Sequence, residues 1–356
     1  MIVSIVAFIV VLGLLVFVHE FGHFIVAKWS GIKVEEFGFG YPPRLFTFMR
    51  RGGTDYTINL LPVGGFVRML GEEDPTHPGS FASKSRWARA AVLVAGAGMN
   101  MLLAVVLFAA IGLIGVPTGD PTGYVEITNV SPGSPAASAG LQSGDLIVYV
   151  ANQRVSSIER LQSVVVKYLD RPVTVTVQRG GQELDVKLTP RSKPPENQGP
   201  IGVEITNQLT TVRYGPFAAL KFGVERTVVV FFQIIASFSE LFGRLFHGSG
   251  APPVAGPLGI AQVAGELART GQIINVMSFA AILSINLAIL NLLPFPALDG
   301  GRLLFVVIEG LRGGRRIDPQ KEGLIHLVGM MILLTLMVFI SYFDLLRIFN
   351  GQSLLR

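Results

Sequence analysis

From Ile2 to Val18 the chain is apolar except at Ser4 and Gly13, and the run ends in His19-Glu20-Phe21-Gly22-His23. No other feature constrains the fold as much. About 20 apolar residues in a helix cross roughly 30 Å of hydrocarbon, and a segment buried in lipid must satisfy its own backbone hydrogen bonds. On such a helix His19 and His23 share one face, one turn apart, where both imidazoles can hold a single Zn2+. Glu20 between them is of the type and spacing that serves as general base. Hydrolytic chemistry is thus carried on a segment that belongs in a bilayer.

Composition agrees. Half of the 356 residues are hydrophobic and only 15% are charged, with a mean hydropathy of +0.54; a soluble domain carries nearer a quarter charged residues. With no cysteine, disulfides and thiolate ligands are excluded, and a metal must be held by His, Asp and Glu. The net charge of +5 comes from basic residues beside apolar segments, a pattern of membrane topology, so no nucleic acid is expected as a partner. Residues 1–26 lack a basic leading region and a small-x-small cleavage site before His19, so they read as a retained span rather than a cleaved signal peptide.

Four segments are predicted to cross the bilayer: 2–26, 91–116, 273–293 and 324–346. The expected architecture is a polytopic α-helical membrane protein with a membrane-associated β-hairpin and an inserted extracytoplasmic PDZ-like α/β domain. Residues 1–116 form the N-terminal membrane half. Residues 120–207 form the insertion, 216–270 an amphipathic surface helix and linker, and 271–356 the C-terminal membrane half. In the insertion, Val173-Thr174-Val175-Thr176-Val177 alternates as a strand does. The segment Tyr56 to Leu70 reads as two strand-like runs around Pro62-Val63-Gly64-Gly65. One reading is an ordinary cytoplasmic hairpin; the other is a hairpin near the active site with an edge open to an extended peptide.

Charge sets the orientation. Residues 27–90 hold nine Lys or Arg and residues 302–321 hold five, so both loops are expected in the cytoplasm and the insertion outside. Thr227 to Phe242 is apolar enough to resemble a fifth span. If it crossed, the 302–321 loop would move outside against its charge, so it is read as a helix on the outer surface.

A catalytic zinc usually takes three protein ligands. The candidates for the third are His77, His247, His326 and Asp299. The first and third spans both run inward, which brings Asp299 to the depth of His19 and His23 and leaves His247 on the outer side. A carboxylate near the bilayer is costly unless it is paired or bound to metal, so Asp299 is the expected ligand; its plainer role would be a solvated Asp-Gly turn. His326 reads as an interfacial histidine. Pro294 and Pro296 break the helix just before Asp299, which is tolerated where backbone lines a polar cavity. Asn286 and Asn291 suit either substrate backbone or packing between helices. The expected substrate contacts are Asn291, Gly64, Gly65 and Asn100.

Together these residues resemble the site-2 protease family of intramembrane zinc metalloproteases, in its bacterial RseP-like branch with a single PDZ domain. The likeness covers nearly the whole chain. It rests on His19 to Phe24, on Asn291-x-x-Pro294-x-Pro296-x-Leu298-Asp299-Gly300, on Gly256-Pro257-Leu258-Gly259-Ile260, and on the insertion, with Val130 to Ala137 and Ala139 to Asp145 resembling a PDZ domain. The resemblance implies His19, His23 and Asp299 as zinc ligands and Glu20 as general base. It also implies cleavage of single-pass membrane proteins, anti-sigma factors or remnant signal peptides, by a multi-pass protein of the bacterial inner membrane. One departure stands out: Ala97 occupies a position where the family usually has proline. PDZ domains capture peptide C-termini, and Gly199-Pro200-Ile201-Gly202-Val203 is the candidate loop; a size filter that binds nothing is the equal alternative. Competing readings of the whole are a non-catalytic membrane scaffold presenting the PDZ-like domain, or a membrane zinc hydrolase acting on lipidated substrates.

Overall fold

The first helix, α1 (Ile2–Trp29), is 28 residues long, about 42 Å at 1.5 Å per residue. The structure, a computed structural model, describes residues 2–72, 74, 76–195, 198–246 and 255–350. The chain divides into two units, Met1–Ile114 with Tyr214–Arg356, and Gly115–Arg213. Among the described residues four helices are long and apolar enough to cross a membrane: Val3–Trp29, Arg86–Ile114, Ile273–Leu292 and Pro319–Phe349. These are the four expected spans.

After α1 come β1 (Val34–Arg51) and β2 (Thr54–Met69), turned at Gly52-Gly53, both with positive φ (58° and 74°) as a tight hairpin turn requires. The strand pairing differs from the expectation for 56–70. The two runs there do not pair with each other around Pro62. Both flank the start of β1: Phe37 pairs with Val67 on one side and with Tyr56 on the other. Sequence pattern identifies strand-forming runs, but their partner, Glu36-Phe37-Gly38-Phe39, is broken by Glu and Gly and gives a weak strand signal. Glu36 is buried there because Arg44, Arg68 and the Thr57 hydroxyl surround it, and a buried charge needs such partners.

The second span, α2 (Arg86–Ile114), packs on α1 through small residues. A Cβ at Gly22 would stand 2.8 Å from the Ala95 carbonyl carbon and 3.0 Å from Met99 Cβ, so only glycine permits this approach. Ala97, in the family's proline position, is buried in an unbroken helix. Near the end expected to face the cytoplasm, Ala27, Ile32, Val34, Phe81, Val92 and Val306 form a core. A buried ion pair, Arg89 to Glu309, lies beside it.

The insertion folds as β3 (Val116–Val130), α3 (Pro135–Ser138), β4 (Leu146–Val150), β5 (Gln153–Arg154), α4 (Ile158–Val165), β6 (Val173–Arg179), β7 (Gln182–Leu188) and β8 (Val203–Val212). Its strands are ordered β7-β6-β4-β3-β8, with β5 on β4. The alternation read at 173–177 is β6, whose valines point into a core with Val125, Ile127, Ile147 and Leu161. Asp145 is buried ahead of β4, held by Arg179 Nε at 2.6 Å and by the Gln142 N–H at 2.8 Å.

The chain returns through α5 (Pro216–Phe246), α6 (Pro257–Arg269), α7 (Ile273–Leu292), α8 (Asp299–Leu311) and α9 (Pro319–Phe349). The segment read as a surface helix is held lengthwise on α2: Ala219 lies at Gly112, and Gly223 at Val105 and Ala109. As α5 advances α2 recedes, so the two run antiparallel, with Ala219, Thr227 and Val230 buried along the stripe. The N-terminus of α6 has no side-chain cap of its own. Asp344 of α9 supplies it, accepting from Gly259 N at 2.7 Å while paired to Arg347, which satisfies an otherwise orphan helix N–H.

Candidate metal centre

His19 and His23 sit on the buried face of α1, one turn apart. Their Nε2 atoms are 3.1 Å from each other. Asp299 Oδ2 lies 3.0 Å from His19 Nε2 and 3.2 Å from His23 Nε2. Bonds of about 2.0 Å in a tetrahedral arrangement put neighbouring ligand atoms about 3.3 Å apart, so this spacing suits one shared ion. Among the described residues this is the one group of three such side chains that can hold a metal.

Asp299 reaches this point because α7 stops. Phe295 N donates to Leu293 O and Leu298 N to Phe295 O, Pro294 and Pro296 have no N–H to give, and Ala297 takes a left-handed φ of 78°. That conformation costs a non-glycine residue about 1 kcal/mol. Asp299 then opens α8, where the helix dipole favours a carboxylate. Behind it Gly300 and Gly301 lie against the carbonyls of Leu292, Leu293 and Phe295, leaving no space for a Cβ. One turn on, Arg302 pairs with Glu72 at 2.6 Å.

The donor set fits a zinc ion. His23 Nδ1 lies 2.7 Å from the Val92 carbonyl, which can only accept, so Nδ1 carries the proton and Nε2 offers a lone pair. Beside His19 Nδ1 is the amide of Asn100, with Nδ2 at 3.4 Å, while Asn100 Oδ1 is buried without a partner. Exchanging the amide O and N lets Oδ1 accept from His19 Nδ1–H. Both Nε2 atoms then present lone pairs to one carboxylate oxygen. Three electron-pair donors converging in a buried place call for a cation. Gly96 makes the room: a Cβ on it would lie 2.5 Å from His23 Nε2 and 2.7 Å from His19 Nε2.

The other expected residues fall as follows. Glu20 is half-buried on the same helix, between His19 and His23 in sequence. Gly65 lies against Glu20, its Cβ position 3.1 Å from Glu20 Cβ, and Gly64 lies against Val16. Asn100 is wholly buried beside His19, not on an open face. Asn291 is half-buried at the end of α7, and Asn286 Oδ1 is buried without a partner. His77 closes a turn by accepting from Gly79 N, and His247 lies outside the described residues. His326 is not at the metal centre; its Nδ1 accepts from Ala297 N. Gly96 and the Val92 carbonyl went unread in the sequence. The carbonyl has no side-chain signature, whereas the run Ala95-Gly96-Ala97-Gly98 was a visible sign of close approach.

The description "Peptidase family M50" matches residues 7–336. The chain is 31% identical over 97% of its length to "Regulator of sigma-W protease RasP" of Bacillus subtilis, covering 99% of that protein. It is likewise 31% identical to "Zinc metalloprotease RasP" of Geobacillus kaustophilus, over 97% of this chain and 98% of the relative. A solved PDZ domain of an SdrC-like protein from Listeria monocytogenes aligns with 25% of this chain and 90% of its own, at 20% identity and a TM-score of 0.21. With two histidines of a spanning helix meeting a carboxylate from the start of α8, and a match along almost the full length, the chain belongs to peptidase family M50, the site-2 proteases.

Proposed function

We propose that this zinc metalloendopeptidase of the site-2 protease type cuts single-pass membrane proteins within the bilayer, at a centre held by His19, His23 and Asp299 with Glu20 as general base. The observation that carries this reading is the convergence of two imidazoles and a carboxylate 280 residues away on the buried face of an apolar helix. Zinc bound there supplies Lewis acidity to a peptide carbonyl and to a water. The chain's own residues do the rest. Val92 and Asn100 hold the imidazoles with their lone pairs inward. Glu20 takes the proton from the attacking water and passes it to the leaving amine. A substrate helix hides its carbonyls in its own hydrogen bonds and must unwind to react. Gly65 lies beside Glu20, and among the described residues Gly65–Met69 pairs only with β1; that free edge suits an unwound peptide.

The centre is placed toward the cytoplasmic side and the PDZ-like unit outside. The basic loops support this orientation; Trp29 and Trp87, 82% and 84% exposed at the matching ends of α1 and α2, suit headgroup depth at those ends, as aromatic anchors do on either side. In the PDZ-like unit, a cavity of about 360 Å3 lies between α4 and β8, lined by Leu161, Val165, Val166, Ile201, Val203 and Ile205. β8 is the edge of its sheet. An apolar groove beside an open strand supports capture of a hydrophobic chain end.

The test is Glu20→Gln. Cleavage of a reconstituted membrane substrate should fall by several orders of magnitude while bound zinc is unchanged. Cleavage retained in this variant would remove Glu20 as base, and unchanged metal content in Asp299→Ala would remove the centre itself.

A further inference from the structure

The loop that delivers Asp299 is fastened to a helix that contributes nothing to the metal centre. Three N–H groups are available between Pro294 and Asp299. Those of Phe295 and Leu298 are satisfied within the loop, by Leu293 O and Phe295 O. The third, on left-handed Ala297, reaches across to His326 Nδ1 of α9 at 2.9 Å. A backbone N–H only donates, so Nδ1 accepts and the ring proton sits on Nε2. The His326 ring lies 5.4 Å from that of Phe305 on α8. One turn further along α9, Gly329 is buried against Pro296, where a Cβ would stand 2.7 Å from the Pro296 carbonyl oxygen. Gly329 and Asp344 are the buried residues among the described residues of α9, and Gly329 is the one that meets the loop.

We infer that His326 is a positioning residue: by accepting from Ala297 N–H it holds the strained turn that sets the height of Asp299, the third metal ligand. The inference rests on the metal-centre reading. Two proline rings and the Leu298 N–H to Phe295 O bond shape the turn around Pro296 and left-handed Ala297, but no bond within the loop engages the Ala297 N–H, which points to α9 instead. The bond from α9 supplies that constraint, and Gly329 lets α9 come close enough to make it.

The experiment measures zinc affinity by chelator competition and the visible spectrum of bound Co(II), on the full chain in detergent. His326→Leu removes the acceptor and should weaken zinc binding by about 10–100-fold, the usual effect of losing an outer partner of a metal site, with a changed Co(II) band. His326→Asn places an amide oxygen near the position of Nδ1 and should restore both to within about threefold. Gly329→Ala, which presses on Pro296, should reproduce the Leu defect. Because a misfolded His326→Leu would also lose metal, rescue by Asn decides: Asn no better than Leu overturns the proposal, as does wild-type affinity and spectrum in His326→Leu. Loss in Asp299→Ala with none in His326→Leu removes the tether alone. Zinc binding intact in both removes the centre and the tether together.

Discussion

Gly96 of α2 faces His23 of α1 so closely that a Cβ on the glycine would stand 2.5 Å from His23 Nε2. Glycine in a helix interior normally gives up about 1 kcal/mol relative to alanine, so its presence here reflects space rather than helix stability. Gly96→Ala should leave helix content unchanged while zinc content and proteolysis fall together, by tenfold or more. Circular dichroism with metal analysis on the purified variant separates the two. Full zinc occupancy in Gly96→Ala would contradict the packing argument.

Asn100 carries the next prediction. Asn100→Leu keeps the volume but removes the partner of His19 Nδ1, and zinc affinity should drop about 10–100-fold. Competition against a chelator measures it. An unchanged constant would mean that the amide does not orient His19.

Asp299→Ala and Glu20→Gln should part company. The first removes a ligand, so metal is lost with activity; the second leaves the three ligands and should retain metal while inactive. Metal analysis of both variants beside the wild type reads the difference directly.

The PDZ-like unit should respond to acid through Asp145. Burial works against its carboxylate, but the Arg179 guanidinium and the Gln142 N–H outweigh that and hold the group below the usual carboxylate range. Since the folded value lies below the unfolded one, the stabilisation is complete above about pH 4 and is lost as the pH falls through the folded value. Arg179→Met leaves a buried charge without its partner and should cost about 3 kcal/mol at neutral pH. It should also raise the pH at which the unit opens. Hydrogen exchange over 115–213 across pH 3–7, on the full chain, follows both effects.

Much of this molecule was legible in its sequence because apolar length and ligand chemistry are local signals. The four spans, the His19–His23 pair and the strand at Val173–Val177 each declare themselves within a few turns of chain. Asp299 was reachable because few carboxylates lie at membrane depth. What escaped depends on contacts between distant segments. The partner of 56–58 and 65–69 is Glu36 to Phe39, too broken to read as a strand. The close approach of α1 to α2 depends on Gly22 and Gly96, residues that show their purpose only when a neighbour occupies the space. Asn100, expected among the substrate contacts, is enclosed beside His19. The hold of His326 on Ala297 is a backbone contact, which leaves no trace in residue type.

The three proposed ligands are contributed by opposite ends of the chain, His19 and His23 near its start and Asp299 in its last fifth. A nascent polypeptide carries the first two long before the third is translated. On the proposed ligand set, a chain that ends before Asp299 lacks one of the three groups that hold the metal, so cutting power would come only once both membrane halves have been made and have met.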